Sequence, residues 1–556
     1  MPKILPILAI AGALTQAALA FSAFTASDAL AQGAGKPVPP PLSLRQAAYY
    51  KDHPTERAAL MARLPIPHDS VGPVPDAAQQ RPTVGGVWKT VTAPMPSSGA
   101  SAPHLMMDGT VLVHAQCTGN WYKLTPNIDG TYKDGTWSTI ATMPAGYTPL
   151  YFAVQVLVDV RLIVNGGEYN ACAEAWTNLG AIYDPATNTW ASVATPFTSS
   201  TIGDAQSTVL INKNYMLADC CTTQQAILNP STMTWTATGS GKFDVNDEEA
   251  WSLLPSGNLI TGDAYVYTNS CGMNTEAYTA ATGTWASAGA SPVQLSDCSG
   301  LSPSYEVGPQ VLRPNKSVVM FSGMATGSPA GTAVYSTTTG TYTPGANVPA
   351  VHGVNYTLAD APAALEPNGN ILFAASPGPA FSLPTHFFEY SLSNTAARIT
   401  NDPANTAGNT SYVYNLLVLP NGQILLTDFS NTIQLYNPGG VPNAAWAPVI
   451  TTLSSTTITR GTGYSITGSQ LNGRSEAGAY GDDVQEATDF PLIRIRNNAS
   501  GHVYYCQTTG ETSRDISAKA VSTMTFLCPR TVESGAATLV VVANGIPSPA
   551  QAVTIR

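Results

Sequence analysis

One eight-residue ending recurs along the chain. It reads Tyr183-Asp184-Pro185-Ala186-Thr187-Asn188-Thr189-Trp190, then Leu228-Asn229-Pro230-Ser231-Thr232-Met233-Thr234-Trp235. It returns as Tyr278-Thr279-Ala280-Ala281-Thr282-Gly283-Thr284-Trp285 and Tyr335-Ser336-Thr337-Thr338-Thr339-Gly340-Thr341-Tyr342, and a weaker version closes on Trp137. The closing aromatics Trp137, Trp190, Trp235, Trp285 and Tyr342 stand 45 to 57 residues apart. A period of that size belongs to arrays in which each repeat is one small sheet that cannot bury its faces alone.

Each repeat opens on an apolar strand, a tight turn and a second apolar strand. The turn landmarks are Asp108-Gly109, Asp159, Asn212, Ser256-Gly257, Asn315, Asn368-Gly369 and Asn421-Gly422, flanked by runs such as Val111-Leu112-Val113 and Ile424-Leu425-Leu426. Short β-rich runs across Asn-Gly or Asp-Gly are strong hairpin signals. Seven landmarks predict an all-β fold, a seven-bladed kelch-like β-propeller over residues 95–445. From Pro448-Val449-Ile450 onward the pattern changes. Alternation over 459–469 and again over 536–555 predicts a C-terminal immunoglobulin-like (E-set) β-sandwich over 446–556, with Cys506 and Cys528 paired inside it.

The first 31 residues have the pattern of a signal peptide. Lys3 precedes an apolar run over 4–20, and small-residue sites follow at Ala18-Leu19-Ala20 and Ala29-Leu30-Ala31, the second being preferred. The apolar core is short for a membrane anchor, and no later run is apolar enough to span a bilayer. Residues 32–94 read as a Pro/Gly-rich linker with a short helical segment over 42–64. A secreted or periplasmic location suits the eight cysteines, expected as disulfides because none has zinc-ligand spacing. Cys117, Cys172, Cys220, Cys221 and Cys271 all follow second strands. Bridges between neighbouring repeats are expected there, with Cys220 and Cys221 taking separate partners. The net charge of −11, with no basic cluster, argues against nucleic acid as a partner.

In its architecture, and in two local stretches, the chain resembles the galactose oxidase superfamily of copper-radical oxidases. Tyr151-Phe152-Ala153 through Gly166-Gly167-Glu168-Tyr169 is similar to the family segment carrying the radical-forming tyrosine and its stacking tryptophan. Tyr151 matches the tyrosine, and Tyr169 falls at the tryptophan. Tyr412-Val413 falls where the family has Tyr-His. The resemblance implies copper held by two tyrosines and two histidines, one tyrosine cross-linked to a cysteine. The pattern departs from it. Val413 stands for the first histidine, Asp482, Asp483 and Gln485 stand near the second, and residues 97–107 hold no cysteine. His104 and His114 flank the first hairpin but follow no family motif. Copper-radical chemistry is therefore not expected, although it stays a rival reading.

Acids mark the expected mouth. Counting eight residues back from each turn lands on Tyr151, Asp204, Glu248 (beside Asp247 and Glu249) and Asp360, with Glu306 one place off. Counting past the second strand meets Glu168, Asp219, Asp263 and Asp428. Crowded carboxylates must hold a proton, bind a cation or titrate high. Three readings follow: strand-end acids with a structural role, a Ca²⁺ site at Asp204, Glu248 and Asp360, or a catalytic carboxylate pair drawn from Asp247, Glu248, Glu249, Asp204 and Asp360. The expected function is binding of an extracellular glycan or cell-surface polymer by a monomer, through Tyr151, Glu168, Tyr169, Asp263 and Tyr412. A polysaccharide hydrolase or lyase is the alternative.

Overall fold

The computed structural model describes residues 85–199, 201–265, 272–296, 306–324, 329–480 and 485–556. The expected signal peptide, the helical segment over 42–64, Cys271, Cys298, Asp482 and Asp483 lie outside the described residues. Among the described residues, no helix is long and apolar enough to cross a membrane.

All seven landmark turns join antiparallel strands, and the first five hairpins each continue into a sheet of four strands laid down in chain order. The first sheet holds Ala100–Leu105, Val111–Ala115, Trp121–Thr125 and Thr136–Thr139. The second holds Ala153–Val156, Leu162–Asn165, Gly180–Asp184 and Thr189–Ser192. The third to fifth repeat the plan from Ser207–Val209, Ser252–Leu253 and Gln310–Arg313. The sixth runs from Ala363–Leu365 to Ala396–Arg398. The seventh takes three strands, Asn415–Val418, Ile424–Thr427 and Gln434–Asn437, and completes itself with Val87–Thr90 from upstream. That strand precedes residue 95, where the first repeat was expected to open.

The first strands meet at the middle. Ala153–Val156 lies beside Ser207–Val209, Ser252–Leu253 beside Gln310–Arg313, and Gln310–Arg313 beside Ala363–Leu365. Asn415–Val418 lies between Ala363–Leu365 and Ala100–Leu105, so the last sheet returns to the first. These strands are buried on both faces, which explains why Leu416-Leu417-Val418 is a continuous apolar run and not an alternating one.

The recurring ending forms the outer edge. It turns from the third strand of a sheet into the fourth. The residue between the two threonines takes the left-handed conformation: Asn188, Met233, Gly283 and Gly340 have φ of 51°, 53°, 69° and 67°. The flanking hydroxyls pair across it at 2.6–2.7 Å in Thr187/Thr189, Thr232/Thr234, Thr282/Thr284 and Thr339/Thr341. The aromatic then reaches the preceding sheet. Trp137, Trp190 and Trp235 donate their indole N–H to Ala93, Ala141 and Ala194 carbonyls at 2.9–3.0 Å. Tyr342 bonds Thr275 at 2.8 Å in the same way. Trp285 instead donates to Gln225 Oε1 at 3.3 Å, so the repeat is conspicuous in sequence because each copy ties its sheet to the preceding one, though not always to the same group.

Residues after 448 build a nine-stranded sheet path around Ile466, Ile493, Ile495, Phe526, Leu539 and Val541, all fully buried. Cys506 and Cys528 are bridged, as expected. This unit sits on the hairpin-turn side. Arg514 N–H donates to Ile211 O at 3.1 Å and Val503 N–H to Ile128 O at 2.7 Å. Gly109 lies so close to Tyr505 that a Cβ there would fall 2.5 Å from Cγ of the ring. From this side the segment before Tyr480 runs among the first strands. Ser475 Oγ donates to Leu312 O at 2.6 Å, Glu476 accepts from Thr208 Oγ1 at 2.6 Å and Leu253 N–H at 2.9 Å, and Gly478–Ala479 adds to the edge of Ala363–Leu365.

Candidate functional site

The end of the sheets opposite the hairpin turns gathers acids and tyrosines. Glu248, Glu306 and Asp360 precede the first strands of three successive sheets, and oxygens of their carboxyls lie within 4.8 Å of one another. All three are buried, at 4%, 3% and 7% exposure. Burial and the neighbouring Glu306 hold the Glu248 carboxyl well above the usual carboxylate range, with Asp247 and Asp204 adding to the push. Burial pushes Asp360 up to about 6, against a hydrogen bond from Glu306.

Tyrosines line the same space. Tyr151 and Tyr169 have ring centroids 6.1 Å apart, Phe429 packs 6.4 Å from Tyr151, and Phe381 packs edge-on to Tyr412 at 5.4 Å. Burial raises the pKa values of the Tyr151 and Tyr412 hydroxyls, and both feel the Asp360 charge. Tyr480, brought up by the C-terminal unit, donates its hydroxyl to the Tyr412 carbonyl at 2.6 Å. The backbone is strained here. Tyr151, Glu248, Asp360 and Phe429 have φ of 51°, 58°, 44° and 62°, a region that bulky residues enter only under constraint.

The remaining expected residues divide. Asp204 and Asp247 form a neighbouring group with Cys220. Of the trio expected at Asp204, Glu248 and Asp360, the last two share a group with Glu306, and Asp204 lies in the other. Glu168 and Tyr169 stay beside Tyr151. Glu249 and Asp263 leave the cluster, because Glu249 is the chain neighbour of Glu248 and its carboxyl goes to Lys242 instead. Lys242 Nζ contacts Glu249 at 2.8 Å, Glu276 at 2.7 Å and Asp263 at 4.0 Å in a buried ionic group of its own. There burial pushes Asp263 up to about 7. Asp219 accepts hydroxyls from Ser199, Thr201 and Thr222, and Asp428 accepts from Asn405 and Ser430, which are structural roles.

The cysteines follow the expected geography with one correction. Cys117 and Cys172 bridge the first and second sheets. Cys220 and Cys221, expected to take separate partners, are joined to each other. Trp176 closes over this bridge. A Cβ on Gly203 would meet Cys220 Sγ at 2.6 Å and Trp176 Cδ1 at 3.1 Å, and φ of +67° also suits glycine there. Trp176 escaped the turn-counting rule because the short strand pair Tyr169–Asn170 and Ala173–Glu174 is inserted ahead of it. Phe243, 66% exposed on the loop leading to Asp247 and Glu248, gave no sequence signal.

The resemblance to copper-radical oxidases points to histidine at positions that hold other residues here. Val413 is fully buried at the expected histidine position, and among the described residues no histidine joins a metal-ligand group. His114 is held by Ser101 and by the Thr118 carbonyl in the first sheet, and packs against Trp121 and Phe152. Burial lowers His104 to about 3 and His114 to about 4, so both stay neutral.

No family model matches the chain, and no curated protein matches it. Solved structures do. The chain is similar to a fungal alcohol oxidase of the AA5 family in complex with copper, at 14% identity and a TM-score of 0.49, over 84% of this chain and 99% of that one. It is similar to virginiamycin B lyase from Staphylococcus aureus (8%, TM-score 0.43, 63% and 99%). It is also similar to YCF48 bound to D1 peptide (11%, TM-score 0.42, 66% and 100%).

Proposed function

We propose that the seven sheets are the blades of a galactose-oxidase-like kelch propeller, that residues 446–556 form an immunoglobulin-like domain, and that the exported chain binds an extracellular glycan at its acidic mouth without copper-radical activity. One observation carries this reading. Carboxylates from the fourth to sixth sheets converge with Tyr151 and Tyr412, and the histidines the copper family would need are replaced. The surroundings suit a sugar polymer. Carboxylates accept from hydroxyls, and Phe243, on the loop leading to Asp247 and Glu248, offers an exposed ring for stacking. The Cys117–Cys172 bridge ties down the inserted strand pair, and stiffened loops are how binding groups are commonly presented.

A second reading rests on the Glu248 carboxyl. A carboxyl pushed well above the usual carboxylate range by burial and by Glu306, with an oxygen within 4.8 Å of two other carboxyls, has the acid–nucleophile spacing of a retaining glycosidase. A glycan array and a reducing-end assay separate the two, run on the wild type and on Asp247→Asn and Glu248→Gln. The binding reading expects retained glycans and no new reducing ends. Product that disappears in Glu248→Gln would replace binding by hydrolysis, and failure to retain any glycan would remove the ligand assignment. Stoichiometric copper with a tyrosyl radical signal and peroxide release from primary alcohols would restore the oxidase.

A further inference from the structure

Three carboxyls packed into a buried space are stable only if something offsets their charge. Glu306 hydrogen-bonds both Glu248 and Asp360, which requires protons between the partners when nothing else lies there. A cation is the other solution. Oxygens around a Ca²⁺ ion lie at about 2.3–2.6 Å from it, so ligands on opposite sides are about 4.6–5.2 Å apart. The Glu248, Glu306 and Asp360 oxygens, all within 4.8 Å of one another, fall inside that limit.

A second observation points to the same space. The Tyr151 hydroxyl is buried without a hydrogen-bond partner, in a residue 7% exposed, and it feels the Asp360 and Glu168 charges. A phenol in such a position is expected to be bonded, and it supplies a further oxygen for an ion or for water on an ion. Every donor in the group is a hard oxygen, which disfavours copper and zinc and favours calcium, magnesium or manganese. Magnesium demands near-ideal octahedral geometry and keeps several waters, whereas calcium accepts irregular, carboxylate-rich shells.

We propose that Glu248, Glu306 and Asp360, with the Tyr151 hydroxyl, bind one hard divalent cation, calcium in preference to magnesium. The inference rests on the reading of the acidic mouth as the ligand site, and adds that the glycan meets a metal-loaded mouth. A cation there would neutralise the acids and offer open positions to sugar hydroxyls.

The test uses the full secreted chain, stripped with chelator and titrated calorimetrically with calcium, magnesium and manganese chlorides, with no glycan present. One equivalent of calcium should bind, with Kd on the order of 10⁻⁴ M or tighter, and Tm should rise to a plateau. Asp360→Asn and Glu306→Gln should abolish the heat while leaving gel filtration and circular dichroism unchanged. Asparagine accepts the positive φ at position 360, so this variant is expected to fold. Tyr151→Phe should weaken binding by about tenfold. A wild-type chain with neither heat nor Tm shift for any of the three ions overturns the proposal whatever the variants do. Asp360→Asn binding calcium as tightly as wild type overturns it too. Repeating the glycan array in chelator separates the two readings: glycan retained without calcium binding sinks the cation alone, and calcium bound with no glycan retained sinks the glycan alone.

Discussion

Replacing Glu476 by glutamine should stabilise the protein, and increasingly so as the pH rises. Glu476 comes from the C-terminal unit and is buried among the first strands of the sheets, where it accepts hydrogen bonds from Thr208 Oγ1 at 2.6 Å and Leu253 N–H at 2.9 Å. Burial, with Asp489 adding to it, pushes its carboxyl from 4.5 up to about 7 despite those two bonds. The folded protein therefore holds a proton that the unfolded chain has already released. Stability is fully present below the unfolded pKa near 4.5 and falls as pH rises towards 7. A shift of about 2.5 units at about 1.4 kcal/mol each gives a loss of about 3 kcal/mol above pH 7. Glutamine has the same shape and cannot ionise. Its Oε1 still accepts from the Leu253 amide, and its Nε2 donates to the Thr208 hydroxyl, which can rotate to accept.

The two proteins should therefore be close in stability at pH 4.5 and about 3 kcal/mol apart at pH 8, with Glu476→Gln the more stable. Urea unfolding followed by tryptophan fluorescence at pH 5, 6, 7 and 8 reads the difference. Amide exchange at Leu253 shows whether its hydrogen bond survives. Glu476→Ala, which loses both bonds and leaves a cavity, should be less stable than Glu476→Gln at every pH. A constant gap between pH 5 and 8, or a variant less stable than wild type at pH 8, would show that the carboxylate gains more from its donors than burial takes away.

Other consequences follow from single contacts. Converting Cys117 and Cys172 to serine opens a loop closed over a separation of 55 residues and should cost about 4 kcal/mol by chain entropy, read from the urea midpoint under oxidising conditions. Trp235→Phe keeps the ring but loses the donation to Ala194 O at 3.0 Å, so about 1 kcal/mol is expected. The loss should be similar in Trp190→Phe, since the staple is the same, and a cost confined to one of them would refute the shared role. Tyr480→Phe leaves the Tyr412 carbonyl without its 2.6 Å donor and should cost about 1–3 kcal/mol. It should also speed amide exchange over Ser411–Val413 if the contact orders that turn.

What the sequence disclosed depended on whether a residue's role was repeated. Trp190, Trp235 and Tyr342 each staple one sheet to the last, and the Thr-x-Thr pairs each close one outer turn. The same local problem solved several times leaves a period, and the period points to a repeated sheet, while the seven turn landmarks supply the count. Glu248 and Asp360 were reachable because they sit a fixed distance from a hairpin turn. The turn count then failed at the next level of detail. It could not tell Glu248 from Glu249, whose carboxyls go to different clusters, nor Asp204 from Glu306, which lies one place out of register. Those choices depend on which way a strained backbone points each side chain, and Tyr151, Glu248 and Asp360 all have positive φ that no residue type there announces. Trp176 and Phe243 stand at no fixed distance from a turn, one behind an inserted strand pair and the other on a connecting loop. Cys220 and Cys221 follow the same logic: bridges between neighbouring sheets suit the repeat, but these two cysteines join each other within one sheet's loop. Period reports what every sheet shares, whereas a site is built from what each sheet does differently at its mouth.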